Sequence, residues 1–430
     1  MKHLIYILIA ILIGINNIFI NYKVSLISYE RLLEFMIFGM FIKSFLDEYK
    51  QNGYFRKYTH YILLFAVLQL LMNLKLVAFD NAESKTIFIG FFKCSSFLVF
   101  SYLFLLIAKA DDKYINIVIG IQVVICFFAL AQHPVSPISG EAHNLKLMFF
   151  KGTEDDAELM KNLNNQEMYI QLGLGERFRL SGPFGNSISF SYFLISAFLI
   201  NLYMYIKTHK RIYILTTGLI VVCSLLSQTR SLVLGEAFIL LGVFFLIHNS
   251  KINSYKIIFT ILGLAASLFF INKFDSMFSG GESSRLTKFD DKGSNRPLLW
   301  LTGLTAVANH PFGVSDADYN VVKRRMYDRY GSQNVLYQSS HNGLINVGFN
   351  YTIFGYLAII AFYIFNIKYI RKLSKDFKYL MLLFIGGYSI HALFHNDYIF
   401  FADYTVLLVY MLIPLQLSIE NSKQNALKSE

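Results

Sequence analysis

Three residues of this chain combine a reactive side chain with a setting in which it could act. Arg230 lies in a short polar turn between two apolar runs, and Arg296 stands four residues before Trp300, the single tryptophan. A guanidinium can bind phosphate oxygens through two parallel hydrogen bonds, so both arginines are candidates for holding an anionic group. His341 is a candidate general base, because an unperturbed imidazole has a pKa of about 6.5 and can take a proton from a hydroxyl near neutral pH.

Each of these residues also has a structural interpretation. Arg230 and Arg296 could be charges that reach the lipid headgroups, and the stretch from Arg296 to Trp300 is typical of an outer helix lying on a membrane interface. A single histidine is more often structural than catalytic. The functional interpretation of His341 depends on its lying on the same side of a membrane as both arginines.

Further candidates flank the first three. Arg285 and Arg179 lie upstream in polar segments, and Asn342 directly follows the candidate base. His391 and His395 are four residues apart and would share a helix face, but a metal site needs more ligands of that kind. The sequence also has no phosphate-binding glycine loop, dinucleotide fingerprint or zinc-protease motif. We therefore expect neither a cofactor nor a metal.

The composition indicates that these residues belong to a membrane protein. Of the 430 residues, 55% are apolar and 16% are charged, and the mean hydropathy is +0.46. A soluble protein is about 45–50% apolar and about 25% charged. The net charge of +11 does not indicate a nucleic acid partner, because membrane proteins concentrate Lys and Arg in their cytoplasmic loops.

The apolar runs predict an all-α polytopic membrane protein with about twelve transmembrane helices, because a span needs about 20 mostly apolar residues. The predicted spans are residues 4–21, 32–46, 58–79, 86–108, 114–132, 188–206, 212–228, 232–248, 257–271, 351–365, 379–394 and 398–417. With the N-terminus inside, most loop Lys and Arg residues fall on the inner face. We therefore expect both ends of the chain to be cytoplasmic.

This topology divides the chain into five parts and places two long segments outside. We expect five N-terminal spans in residues 1–132, an extracytoplasmic loop in 133–187, spans six to nine in 188–271, a large extracytoplasmic loop with catalytic motifs in 272–350, and the last three spans with a cytoplasmic tail in 351–430. The two outer segments are too long to be plain connectors. Substrate handling is expected there, and the candidate arginines and His341 all fall on this outer face.

In their order and spacing these motifs resemble those of the O-antigen ligase and polymerase superfamily of bacterial membrane glycosyltransferases. The matching elements are Thr229-Arg230-Ser231-Leu232, Ser284-Arg285-Leu286, Arg296-Pro297-Leu298-Leu299-Trp300, His310-Pro311-Phe312-Gly313, and His341-Asn342 with the apolar stretch that runs to Gly355. The segment from Arg179 to Asn186 is similar to the one before the family's middle spans, so the motifs cover residues 175–360. The turn at Arg230 reads Thr-Arg-Ser where the family often has Ser-Arg-Gly.

The resemblance implies a reaction as well as a fold. Enzymes of this family use a polyprenyl-pyrophosphate-linked oligosaccharide as donor at the outer face of the membrane, with no soluble nucleotide sugar. The resemblance implies that Arg230 and Arg296 clamp the pyrophosphate, and that His341 accepts a proton from the attacking hydroxyl, with inversion at the anomeric carbon. The expected substrate-binding residues are Arg285, Asn342, Arg179, Trp300 and His395.

The sequence leaves three functions open: two reactions of this family and one activity outside it. A polymerase would join lipid-linked repeat units into O-antigen, capsule or exopolysaccharide, and a ligase would transfer the glycan to lipid A core or another acceptor. We expect the polymerase, in the bacterial cytoplasmic membrane, with the lipid-linked oligosaccharide, a glycan or lipid acceptor, membrane lipids and a chain-length regulator as partners. A transporter of lipid-linked glycans would also have many spans, but the halves of this chain differ and its polar residues gather on one face.

Overall fold

The computed structural model describes most of the chain. The described residues are 2–15, 18, 23–24, 27–79, 83, 85–133, 135–148, 179–185, 187–247, 296–394 and 405–429. Several sequence predictions fall outside these residues, namely the ninth span at 257–271, Arg285, His395 and most of the first outer segment.

Within the described residues the fold is almost wholly helical, as predicted. The first ten helices are α1 (Lys2–Ile15), α2 (Tyr29–Met40), α3 (Ile42–Gln51), α4 (Gly53–Phe79), α5 (Lys85–Ala110), α6 (Asp112–Ala131), α7 (Ser139–Met148), α8 (Ser187–Thr208), α9 (Ile212–Leu226) and α10 (Arg230–Gly242), which continues as a π-helical turn over Val243–Ile247. The remaining ones are α11 (Arg296–Asn309), α12 (Asp316–Tyr330), α13 (Asn334–Tyr337), α14 (Gly343–Tyr351), α15 (Phe354–Ile370), α16 (Lys375–Ala392) and α17 (Thr405–Ser429). Two short strands, β1 (Lys23–Val24) and β2 (Ile27–Ser28), pair antiparallel with Lys23 opposite Ser28.

Five helices among the described residues are long and apolar enough to cross a membrane. They are α4, α5, α6, α8 and α10 with its π-helical turn. The number becomes six if α14 and α15, which meet at a bend of 119°, form one broken span. The prediction of a helical membrane protein is therefore confirmed, but the predicted number of about twelve spans is not.

Local sequence explains where individual predictions fall short. The second predicted span is divided at Phe41 into α2 and α3, and α3 is rich in polar residues. Helices α1 and α9 are apolar but have only 14 and 15 residues, and a hydrocarbon core of about 30 Å needs about 20. Helix α16 begins with Lys375, Asp376 and Lys378, which shorten its apolar part.

The chain divides into two compact units, the first of which comprises Met1–Leu33, Ile107–Phe289 and Ser374–Tyr388. Helix α8 is nearly fully buried in this unit, and α6, α9 and α10 pack against it. Helices α10 and α16 cross backbone to backbone, because a Cβ atom on Gly387 would lie only 2.7 Å from the carbonyl oxygen of Gly235. The crossing tolerates no side chain at either glycine, and it holds α10 close to α16.

The second compact unit comprises Glu34–Leu106, Asp290–Leu373 and Ser389–Glu430. Helix α4 packs against α3, α14 and α15. The contact with α15 includes a buried polar bond in which the Tyr54 hydroxyl donates to Oδ1 of Asn366 at 2.7 Å. This bond satisfies a hydroxyl that would otherwise be costly to bury.

Two glycines let α11 and α14 approach closely within the second unit. A Cβ atom on Gly303 of α11 would lie 2.8 Å from the side chains of Ser340 and Ile345, and one on Gly348 of α14 would lie 2.6 Å from Val307. Because 303 faces 340 and 345 while 307 faces 348, the two helices run parallel. The start of α14 therefore lies beside the middle of α11.

Candidate active site

His341 lies in a strained turn just before α14. Its φ angle is +44°, in the left-handed region that residues other than glycine rarely adopt. Burial of the side chain lowers the pKa of the imidazole, and the positive charge of Arg296 lowers that pKa further. The imidazole is therefore uncharged at neutral pH, which is the form that a general base must have.

Arg296 begins α11 and joins two aromatic side chains in one cluster. Its guanidinium carbon Cζ lies 5.4 Å from the centre of the Phe394 ring, within the range of a cation–π contact. Trp300 follows one turn later on α11, and its ring centroid is 6.2 Å from that of Phe394. This cluster of Arg296, Trp300 and Phe394 offers a cation beside flat apolar faces, a combination that suits a sugar linked to a phosphate.

Two buried donors near the cluster lack a hydrogen-bond partner in the part of the chain that the structure describes. They are Nε1 of Trp300 and the hydroxyl of Tyr319. Both side chains pack against the apolar core formed by Ala306 and Val307. Leaving a buried donor unpaired costs about 1–3 kcal/mol, so each is a candidate to donate to a ligand or to solvent.

Asn342 connects the candidate base to the helix that follows it. Its Oδ1 accepts hydrogen bonds from the backbone N–H groups of Leu344 at 2.9 Å and Ile345 at 3.1 Å. Asn342 is thus the N-cap of α14, a role for which asparagine is strongly preferred. The cap fixes the backbone next to His341 and uses Oδ1, so a ligand of Asn342 would bind through Nδ2.

The His310-Pro311-Phe312-Gly313 element links α11 to α12 and is held from two sides. The backbone N–H of Ile353, at the break between α14 and α15, donates to the carbonyl of Pro311 at 2.8 Å. Nδ1 of His310 lies 3.4 Å from Oδ2 of Asp318, and the Lys75 ammonium lies 3.7 Å from the same oxygen. The element therefore braces the bent pair α14–α15, at whose start His341 lies.

Arg230 and Arg179 belong to the first compact unit. Arg230 is the exposed first residue of α10, and the side chains of Ser227, Gln228 and Thr229 before it are buried. The backbone N–H of Leu180 donates to the carbonyl of Leu226 at 3.3 Å. The backbone next to Arg179 is thus tied to the end of α9, four residues before Arg230, and the two arginines lie on neighbouring segments.

The predicted site residues therefore fall into two groups, one in each unit. His341, Asn342, Arg296 and Trp300 come together in the second unit, and Arg230 and Arg179 lie on neighbouring segments in the first. Phe394 directly precedes the candidate His395 but was not itself predicted as a site residue. A phenylalanine at the end of an apolar run carries no signal of its own.

The described residues contain no group of three or more His, Cys, Asp or Glu side chains that could hold a metal ion. The three cysteines Cys94, Cys126 and Cys223 are buried and free. The expectation of chemistry without a metal or cofactor stays a prediction.

Comparison with known proteins supports the resemblance seen in the motifs. Residues 212–360 match the model of a family described as O-antigen ligase. The matched residues are about a third of the chain, and the match supports the similarity of this part to the O-antigen ligase and polymerase superfamily. No curated protein and no solved structure matches the chain.

The region that matches the O-antigen ligase family contains most of the candidate site. It runs from α9 into α15 and includes Arg230, Arg296, Trp300 and His341. Arg179 and Phe394 lie outside it. This similarity supports a membrane enzyme that acts on lipid-linked glycans.

Proposed function

We propose that this chain is a polymerase that joins lipid-linked oligosaccharide repeat units at the outer face of the bacterial cytoplasmic membrane, in a bundle of about twelve spans with both ends inside. The observation that carries the proposal is that the half-buried His341 lies within the electrostatic reach of Arg296: burial, and after it the positive charge of Arg296, lower the pKa of the imidazole and favour its uncharged form. A base next to a phosphate-binding cation is what the transfer of a sugar from a lipid pyrophosphate requires.

The reaction is a single displacement. His341 takes the proton of the attacking sugar hydroxyl, and the hydroxyl oxygen forms a bond to the anomeric carbon of the donor. The bond between that carbon and the pyrophosphate oxygen breaks, and the anomeric configuration inverts. Arg296 and Arg230, with Arg285 as a third, stabilise the charge that grows on the leaving pyrophosphate, so we propose that no metal takes part.

The remaining candidates bind the two sugars. We propose that Trp300 and Phe394 pack against a sugar ring next to the pyrophosphate, with Nε1 of Trp300 as a donor. Asn342 and His395 contact the acceptor, and Arg179 binds the donor together with Arg230. A chain-length regulator is the proposed protein partner.

The proposal is tested with the purified protein in nanodiscs and a synthetic polyprenyl-pyrophosphate-linked repeat unit. We expect His341→Ala and Arg296→Ala to reduce polymer formation at least 100-fold, as losses of a general base and of an electrostatic contact do. The matched controls are His209→Ala and Arg324→Ala. His209 is an exposed histidine that also has a positive φ, and Arg324 is an exposed arginine of α12. Wild-type rates in both site variants would refute the assignment.

A ligase is the second candidate, because the matching family is described as O-antigen ligase. The same donor presented with lipid A core distinguishes the two reactions. Transfer to lipid A core without elongation of the lipid-linked glycan would establish the ligase. Movement of the donor across a sealed bilayer without formation of a new glycosidic bond would establish a transporter instead.

A further inference from the structure

A buried lysine contacts the segment that carries Arg179. Lys146 on α7 and Ser181 are each 2% exposed, and Nζ of Lys146 donates to Oγ of Ser181 at 2.6 Å. Lysine is among the residues least often fully buried, and it is usually paired with a carboxylate when it is. Here a fully buried ammonium donates to a hydroxyl rather than to a carboxylate, so burial of its charge costs free energy of folding.

Two further bonds hold the same segment. Nε2 of Gln132, at the end of α6, donates to the carbonyl of Gly182 at 2.9 Å. The backbone N–H of Leu180 donates to the carbonyl of Leu226, at the end of α9. Three consecutive residues, 180 to 182, are thus each bonded to a different helix or helix end, and Lys146 is the one charged group among these anchors in the described part of the chain.

We propose that Lys146 is a positioning residue of the donor site, because it holds Ser181 and with it the backbone that carries Arg179 beside the turn that carries Arg230. The inference rests on the proposed function for the identity of the ligand, the pyrophosphate of a polyprenyl donor. Lys146 acts through Ser181, so its effect on binding requires the Ser181 hydroxyl.

The protonation of Lys146 should also respond to an anion bound at the proposed donor site. Burial lowers the pKa of the ammonium to about 7, and a nearby anion favours the charged form. The titratable or charged groups nearest in sequence to the bonded residues are His143 and the exposed Glu141 on α7, His133 at the end of α6, whose pKa is lowered by burial, Cys223 and Arg230 on either side of Leu226, and Arg179 itself. Above pH 7, therefore, binding of a pyrophosphate is accompanied by uptake of a proton at Lys146.

The test measures the affinity of the full-length protein in nanodiscs for undecaprenyl pyrophosphate between pH 6.5 and 9. We expect Lys146→Met and Ser181→Ala each to weaken binding about tenfold, the lower end for residues that position a ligand-binding group. The double variant should bind no more weakly than either single variant. Lys210→Met, which removes an exposed lysine of the same unit, should bind like the wild type.

The pH dependence separates positioning from a purely structural role. Wild-type affinity should fall as the pH rises from 7 to 9, and this fall should be absent in Lys146→Met. Any pH dependence that remains in Lys146→Met measures the titration of the ligand itself. His143→Gln should keep the wild-type dependence. Amide hydrogen exchange over residues 179–185 should be faster in both Lys146→Met and Ser181→Ala, because the bond from Leu180 to Leu226 is loosened.

Each outcome decides for or against the inference. Additive losses in the double variant, or wild-type binding and exchange in both single variants, would overturn it. If the wild-type protein transfers no glycan but its binding of undecaprenyl pyrophosphate depends on Lys146, the proposed function alone is refuted. Transfer that depends on His341, with binding independent of Lys146, would refute this inference alone.

Discussion

Replacing Lys146 with methionine should reverse the sign of its effect on stability between pH 6 and pH 10. Burial lowers the pKa of Lys146 to about 7, whereas a lysine in an unfolded chain titrates near pH 10.4. Between these values the unfolded chain binds more protons than the folded one, so the free energy of unfolding rises with pH. The penalty for the buried ammonium is fully present below pH 7 and disappears as the pH approaches 10.4.

The size of the effect follows from the two pKa values. A difference of roughly 3.5 pKa units corresponds to about 5 kcal/mol. Methionine removes this penalty, but it leaves the buried hydroxyl of Ser181 without its donor, which costs about 1–3 kcal/mol. We therefore expect Lys146→Met to be more stable than the wild type by about 2–4 kcal/mol at pH 6, and less stable by up to about 2 kcal/mol at pH 10, where a small part of the penalty remains. The two proteins should be equally stable at about pH 9.

The assay is the unfolding midpoint of the full-length protein in mixed detergent micelles across this pH range. Ser181→Ala is the matched control, because it breaks the same contact but keeps the buried amine. It should be less stable than the wild type at every pH, and most so at pH 6, where the ammonium has lost its acceptor. A constant difference between Lys146→Met and the wild type from pH 6 to pH 10 would refute the burial on which the calculation rests.

Three further predictions follow from contacts in the two units. Activity requires uncharged His341 and should fall as the pH drops through the pKa of that imidazole. Because Arg296 helps to lower this pKa, the residual activity of Arg296→Gln should reach its half-maximum at a higher pH than the activity of the wild type. An unchanged pH profile would contradict the electrostatic effect of Arg296 on His341. His341→Gly should be about 1 kcal/mol more stable than His341→Ala in an unfolding assay, since only glycine adopts a φ of +44° without strain; equal stability would count against that backbone geometry. Gly387→Ala should destabilise the protein by about 1–3 kcal/mol because its Cβ would meet the carbonyl oxygen of Gly235, whereas Gly218→Ala, which faces open space on α9, should change the unfolding midpoint little.

The helices that form spans could largely be predicted from hydropathy. The predicted spans 188–206 and 86–108 correspond to α8 (Ser187–Thr208) and α5 (Lys85–Ala110) within a few residues. The number of spans could not be predicted in the same way. Whether residues 32–46 form one helix or two depends on a break at Phe41, and the composition of the stretch does not show that break.

For the candidate site, too, the sequence predicted one part and left another part unpredicted. The types of Arg230, Arg296 and His341 and their order along the chain predicted phosphate binding and proton transfer, and these roles stay predictions. The family comparison supports the broader class, a membrane enzyme that acts on lipid-linked glycans. The role of Lys146 was not predicted, because a lysine in a polar outer segment is ordinarily an exposed residue. Its burial against Ser181 separates it from the other lysines in the described part of the chain.

The sequence by itself determined that this chain is a helical membrane protein with the motifs of a glycan-transferring family, because hydropathy and short motifs are local properties. Only the tertiary structure decided which motifs meet. Gly303 and Gly348 permit the helices that carry Arg296 and follow His341 to touch, and the pKa of His341 is lowered by burial and then by the charge of Arg296. Contacts between residues far apart in the chain set these distances, and no window of sequence contains them.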